Sequence, residues 1–300
     1  MSKTVWNRYF LGLALITSLM LLVWIAGVNA VAQSEKSGDW TASVSKDGSK
    51  IQLNLEERRN KGGGKHQHGQ SYDFSELQGL TREQALNGGP ANFSLVREAG
   101  KIDLQGSFQN GKGFGTFRFT PNTAFVSAMK SRGFDFVRDD DEDRLFAAAT
   151  INVTTALADD LGSAGFEKPL TIEDLFKAAI FKVNSNFIRE MKATGYNDLD
   201  LEELVKARIF KIDAEFVRKA AEMGFQNEPF ESIVKMQIFK VTPEFVTEVR
   251  NEGLANLDIE DVVKLRIFKI DAAYIRQAKA EGARIDVESL VQRKIGVARR

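Results

Sequence analysis

From about residue 170 onward, the apolar positions of this chain return every 29 residues. Ile-Phe-Lys stands at 180–182, 209–211, 238–240 and 267–269. After it, each block reads alike: a polar residue (Asn184, Asp213, Thr242, Asp271), an i, i+1, i+4 apolar stripe (Phe187, Ile188, Met191; Phe216, Val217, Ala220; Phe245, Val246, Val249), then a glycine. An oxygen-bearing side chain ahead of a one-sided stripe satisfies the first free amides of a helix, and glycine accepts the left-handed conformation in which a helix ends. Pro243 follows Thr242 at the helical position that needs no amide hydrogen. A second helix is predicted from Thr171, Asp200, Asp258 and Asp286, with Asp174, Glu203 and Asp261 three residues on to complete a capping box. In the copy at Pro229 the proline itself starts the helix. Each block therefore predicts two short helices, and so strict a period predicts a stacked array in which a unit touches only its neighbours.

Two weaker copies precede these blocks. Phe119 to Phe134 carries the cap, the Phe-Val-x-x-Met stripe and Gly133, and Val153 to Phe166 repeats the pattern with Ala and Asp in place of the aromatics. The closing glycines are then 133, 165, 195, 224, 253 and 282, which gives about six two-helix units over 120–300. Upstream the period changes to two. Ile51, Leu53 and Leu55 alternate with polar residues, as do Phe93 and Leu95, and Ile102, Leu104 and Phe108 share a phase, as do Phe117 and Phe119. Asp47-Gly48, Ala99-Gly100 and Asn110-Gly111 supply the turns. The expected fold is α+β: a small antiparallel β domain of five or six strands over 33–119, then the α-helical repeats, with Thr120 capping the first repeat helix and the sheet covering the open end of the array.

Residues 1–32 differ again. Lys3 and Arg8 precede an uncharged run from Tyr9 to Val28 and then Ala30-Val31-Ala32, the form of a signal peptide cleaved after Ala32. At about 1.5 Å per residue, residues 9–28 also nearly match a hydrocarbon core of roughly 30 Å, so an uncleaved inner-membrane anchor is the alternative. Either way the bulk of the chain is exported, to the periplasm or beyond. There is no cysteine, so packing alone stabilises it. The chain is neutral overall, but 120–300 holds 27 basic and 31 acidic residues, a net of minus four, which argues against nucleic acid as a partner.

Candidate chemistry is sparse, and no cofactor is implied. The only histidines, His66 and His68, sit in a glycine-rich basic segment, Arg58 to Gly69. Their i, i+2 spacing can start a zinc or copper site, and a solvated hairpin loop is the plainer explanation. Asp139 to Asp143 lacks the turn and ligand spacing of a calcium loop and falls where a second helix begins. Neither Gly62 to Gly64 nor Gly111 to Gly115 has the context of a phosphate loop, and no nucleophile stands in a motif with a base.

Periodic charge says more. Glu173 and Lys177, Glu202 and Lys206, Glu231 and Lys235, and Glu260 and Lys264 are spaced as i, i+4 helix pairs. Lys182, Lys211, Lys240 and Lys269 have no such partner. They fall in the bend between helices, as solvated residues or as a row facing a protein or an anionic envelope polymer. The Ile and Phe of the tripeptide, with the Phe187, Phe216, Phe245 and Tyr274 column, are expected to hold successive units together.

The unit Lys240 to Val246, its closing glycine, and Leu257 to Ile267 (Leu-x-x-Glu-Asp-Val-Val-Lys-Leu-Arg-Ile, from 257) resemble a bacterial repeat. It is similar to repeats of uncharacterised exported proteins and of C-terminal extensions of membrane metallopeptidases of the beta-lactam-sensor (antirepressor) type. There a His-Gly often replaces Phe-Lys, and Ile295-Gly296-Val297 comes nearest to it here. No His-Glu-x-x-His is present, so the resemblance implies no proteolysis. The sequence thus reads first as a non-enzymatic exported interaction module. A metal-dependent enzyme or metal-binding protein using His66 and His68, or a membrane-anchored sensor acting through a partner, are the alternatives.

Overall fold

The computed structural model describes residues 36–57, 67–136 and 142–296. The signal segment 1–32, the loop around Gly62 to His66, residues 139–141 of the acidic run, and Val297 lie outside the described residues. The remainder forms two compact units, 36–95 with Lys101–Pro121, and Val96–Gly100 with 122–296.

The first unit is a seven-stranded sheet, one or two strands more than the alternation predicts. Its strands are β1 (Lys36–Val44), β2 (Lys50–Glu57), β3 (Gln67–Asp73), β4 (Leu77–Gln78), β5 (Gly89–Arg97), β6 (Gly100–Gln109) and β7 (Lys112–Pro121), in the order β3-β2-β1-β7-β6-β5-β4. The additional strands are β3, which is polar (Gln-His-Gly-Gln-Ser-Tyr-Asp), and the two-residue β4, neither of which carries an apolar alternation. A short helix, α1 (Arg82–Asn87), opens with a Thr81–Gln84 capping box. The alternating residues Ile51, Leu53, Leu55, Phe93, Leu95, Ile102, Leu104, Phe108, Phe117 and Phe119 are all buried, so the phases read from the sequence hold.

Trp40 on β1 sits at the centre. Its ring lies edge-on to Phe93 of β5 at 5.3 Å and tilted to Phe108 of β6 at 5.5 Å, although β7 and β6 separate β1 from β5 in the sheet. Such a contact requires the sheet to curl over its own apolar face. The room for the indole comes from glycine. A Cβ at Gly115 would lie 2.7 Å from Trp40 Nε1 and 2.0 Å from the Gln105 carbonyl oxygen, and one at Gly106 would lie 2.8 Å from the same ring. Trp40 Nε1 donates to that Gln105 carbonyl at 3.2 Å, which satisfies the polar atom of an otherwise enclosed side chain.

Asp47 organises the β1–β2 turn. Its carboxylate accepts from Ser45 Oγ (2.6 Å), the Ser49 amide (3.1 Å) and Ser49 Oγ (2.9 Å). These bonds, the Ser45 hydroxyl foremost, lower its pKa to about 2. A carboxylate whose folded pKa is depressed contributes stability above its unfolded value of 3.8, and that contribution is lost as pH falls from there through about 2. The Asp47 side-chain carbon, followed by NMR, is expected to titrate near 2; a midpoint near 4 would mean that the turn bonds are not made in solution.

The second unit contains twelve helices among its described residues: α2 (Thr123–Lys130), α3 (Glu142–Ile151), α4 (Thr155–Gly162), α5 (Ile172–Phe181), α6 (Ser185–Ala193), α7 (Leu201–Ile209), α8 (Ala214–Glu222), α9 (Phe230–Ile238), α10 (Pro243–Asn251), α11 (Ile259–Ile267), α12 (Ala272–Ala280) and α13 (Val287–Lys294). The caps are those expected: Asn184, Asp213, Thr242 and Asp271 accept from the amide three residues on, as do Thr171, Asp200, Asp258 and Asp286. Pro229 precedes α9 without a side-chain cap bond. All six closing glycines have positive φ, between 78° and 113°. The first cap is Asn122 and not Thr120. Thr120 and Pro121 finish β7, whereas the Asn122 side chain accepts from the Ala124 amide (3.0 Å) and donates to the Glu98 carbonyl (2.9 Å).

Most helices present their apolar stripe to the helix two places along the chain, which stacks them in two layers, and α4 also packs on α5. Odd-numbered helices pack as α3 on α5, α5 on α7, α9 on α11 and α11 on α13, and even-numbered ones as α2 on α4, α4 on α6, α6 on α8 and α10 on α12. Leu175, Leu204, Ile233 and Val262 fill the odd layer, and Ile188, Val217, Val246 and Ile275 the even layer.

Candidate docking face

On the odd-numbered helices, positions i, i+4 and i+7 of the solvent side are Glu173, Lys177 and Ile180 on α5, and their equivalents on α7, α9 and α11. The charged positions do not pair within one helix, as their spacing suggested. Lys177 bonds Glu202, Lys206 bonds Glu231, and Lys235 bonds Glu260 at 2.5 Å, with Arg144 to Glu173 at 3.2 Å continuing the series. Stacking sets adjacent helices side by side, and a lysine reaches the first turn of the next helix more readily than the carboxylate behind it. The bonds raise the pKa of Lys177 and Lys206, through the hydrogen bonds to Glu202 and Glu231 first. Exposed pairs contribute little to stability singly, so the ladder mainly cancels charge along this half of the face.

Ile180, Ile209, Ile238 and Ile267 are 54%, 51%, 45% and 47% exposed, as is Ile295 beyond α13 at 53%. They do not join the units. Phe181, Phe210, Phe239 and Phe268 beside them are only partly buried. In the other column Phe187 and Phe245 are buried as expected, while Phe216 and Tyr274 are partly covered. Interior packing at the bend falls instead to the residue after each lysine. Val183, Ile212, Val241 and Ile270 are buried, and their amides donate back to Ala178, Ala207, Met236 and Leu265 carbonyls at 2.7–2.9 Å. This is a helix C-terminus of the Schellman type, in which the residue before the donor is left-handed.

That left-handed residue is the lysine. Lys182, Lys211, Lys240 and Lys269 have φ of 52–56° and are exposed, and among the described residues none pairs with a carboxylate. The equivalent bend after α3 carries Asn152 (φ 61°), and the one after α13 carries Gly296 (φ 78°), the residue types that take this conformation at low cost. Sequence reasoning located the bend but missed its handedness. The signal was available in the alignment of Asn152 and Gly296 with the four lysines.

Two arginines bind neighbouring units at this edge. Arg208 Nη2 donates to the Lys182 carbonyl at 2.9 Å with its guanidinium 3.7 Å over the Phe187 ring, and Arg266 Nε donates to the Phe239 carbonyl at 3.0 Å over Phe245. Arg208→Met removes a carbonyl cap and a ring contact together and is expected to cost about 1–2 kcal/mol, read by chemical denaturation. An unchanged midpoint would show that neither contact holds the units together.

Of the two histidines, only His68 is described. Its Nε2 lies 3.9 Å from Glu57, whose carboxylate is held by Lys36 at 3.2 Å. Among the described residues no group of three or more His, Cys, Asp or Glu side chains is placed to hold a metal ion. A cleft lined by residues 164–171 and 197–203 with Asp174 and Lys192 carries several carboxylates, of which Asp174 and Glu203 stand in capping boxes, Asp200 is a cap and Glu202 bonds Lys177. No helix among the described residues is long and apolar enough to cross a membrane. Compared with known proteins, the chain matches no family model and no curated protein.

Proposed function

We propose that the chain is an exported, non-enzymatic interaction module and that the face bearing Ile180, Ile209, Ile238 and Ile267 with Lys182, Lys211, Lys240 and Lys269 docks an envelope protein. One observation carries the reading: the four central bends hold lysine in a left-handed conformation that Asn152 and Gly296 take more cheaply at the other two. Strain kept in place at an exposed residue is characteristic of a side chain retained for contact. The isoleucine row beside it supplies apolar surface that the array itself leaves uncovered.

The test is photo-crosslinking in the native host from a benzophenone amino acid at position 209 of the full chain. A protein adduct is expected, and it should vanish when all four lysines become glutamate while the melting temperature is unchanged. Adducts indifferent to that charge reversal would reject the face. Export is checked separately by mass spectrometry of the mature chain. A chain beginning at Gln33 indicates a cleaved signal, whereas an intact Met1 indicates an anchor through residues 9–28.

A further inference from the structure

We infer that the occupant of this face is an acidic amphipathic α-helix of the partner, laid along the stack with an apolar residue and a carboxylate returning every seventh position. The inference rests on the docking reading and specifies its ligand. The face is a stripe with unlike borders. On one side runs the Lys–Glu ladder, already neutralised; in the middle stand the exposed isoleucines; on the other side the lysines have no carboxylate among the described residues. A complementary surface is therefore apolar in the middle and negative along one flank only.

The repeat distance selects the helix. Stacked helices lie about 8–10 Å apart, so isoleucines and lysines recur at about that interval. Seven residues of an α-helix rise about 10.5 Å, and two turns bring the same face round again. An extended strand rises about 3.3 Å per residue, so the interval takes three residues, which turns alternate side chains to the wrong face. Four isoleucines then span roughly 30 Å, the length of about 20 helical residues.

An anionic membrane is the competing apolar and acidic surface, and the ladder argues against it. Glu173, Glu202, Glu231 and Glu260 each engage a cation of the preceding odd-numbered helix, so the ladder half of the face offers lipid phosphates no unpaired positive charge. A helix with its acids on the lysine flank alone needs none there.

The experiment titrates the full chain into a fluorescent 28-residue peptide of four heptads, with leucine at the core positions and glutamate on one flank. Saturable binding is expected, weakened at least about tenfold by Ile209→Asp with Ile238→Asp, and weakened similarly by glutamate at the four lysines. The same peptide with lysine on its flank should not bind. No binding of the acidic peptide, or binding only to vesicles containing phosphatidylglycerol, overturns the inference. The crosslinks from position 209 separate the two levels. Adducts that depend on the lysines but map to a partner segment lacking the acidic heptad pattern leave the docking face standing and reject its helical ligand. Absence of adducts rejects both.

Discussion

Gly115→Ala is expected to unfold the sheet unit at much lower temperature than the parent. The added methyl would lie 2.0 Å from the Gln105 carbonyl oxygen, 2.7 Å from the Gly106 Cα and 2.7 Å from Trp40 Nε1. Two of the three are backbone, which no rotamer change moves. The third is the largest fully buried side chain of the unit, wedged between Phe93 and Phe108. Relief requires β7 to move away from β6, or the indole to leave its acceptor and its ring contacts. Overpacking of this kind costs about 3 kcal/mol, and more where backbone is the obstacle. For a unit of this size each kcal/mol lowers the midpoint by about 4–8 °C, so a fall of roughly 12–24 °C in the midpoint of the near-ultraviolet Trp signal is expected. Gly162→Ala is the control. Gly162 ends α4, its φ is not positive, and a Cβ there meets nothing within 4 Å, so the change should be neutral or slightly stabilising. A Gly115 variant as stable as the Gly162 variant would mean that the curl of the sheet does not depend on this approach.

The second large effect has the opposite sign. Replacing Lys182, Lys211, Lys240 and Lys269 together with glycine is expected to stabilise the helical array and abolish partner binding. A side chain at φ of 52–56° pays a steric cost that glycine avoids, offset by the greater freedom of glycine in the unfolded chain. The balance is about 0.5–1 kcal/mol per site, or about 2–4 kcal/mol over four sites. The lysine side chains lose no ion pair within the described residues, so no broken pair is subtracted from that balance. Circular dichroism at 222 nm should show a later transition, and the crosslink from position 209 should disappear in the same variant. A loss of stability would show that the lysine stems pack on the array. Stability gained with crosslinking retained would separate the strain from binding.

Much of the fold was legible because local chemistry and periodicity agree. Caps, closing glycines and alternating strand residues each need only their own neighbours in sequence, and these were placed correctly from Ile51 to Phe119 in the strands and from Thr171 to Gly282 in the regular repeats. What failed required knowledge of the neighbour across space. The spacing of Glu202 and Lys206 fits a bond within one helix, but stacking offers Lys206 the carboxylate of Glu231, a helix away. The isoleucine at 209 follows Arg208 at the last turn, where the heptad stripe has already rotated past the core, so an apolar residue there reads as interior until the neighbouring helix is positioned. At Gly106 and Gly115, nothing in the sequence announces that Trp40 lies across both. At the candidate docking face, the lysines were visible as a row and Asn152 and Gly296 carried the signal of their handedness, whereas the exposure of the isoleucines came only with the bend geometry.

The Lys–Glu ladder has a direction. Each inner unit gives its lysine to the unit after it and its carboxylate to the unit before it, and Lys264, the last lysine in the row, makes no ion pair among the described residues. A whole 29-residue block duplicated or excised between α5 and α11 would therefore restore every junction with the same bond. The stack can thus change reach by fixed increments without inventing a new contact, so its length is inheritable as a number of blocks.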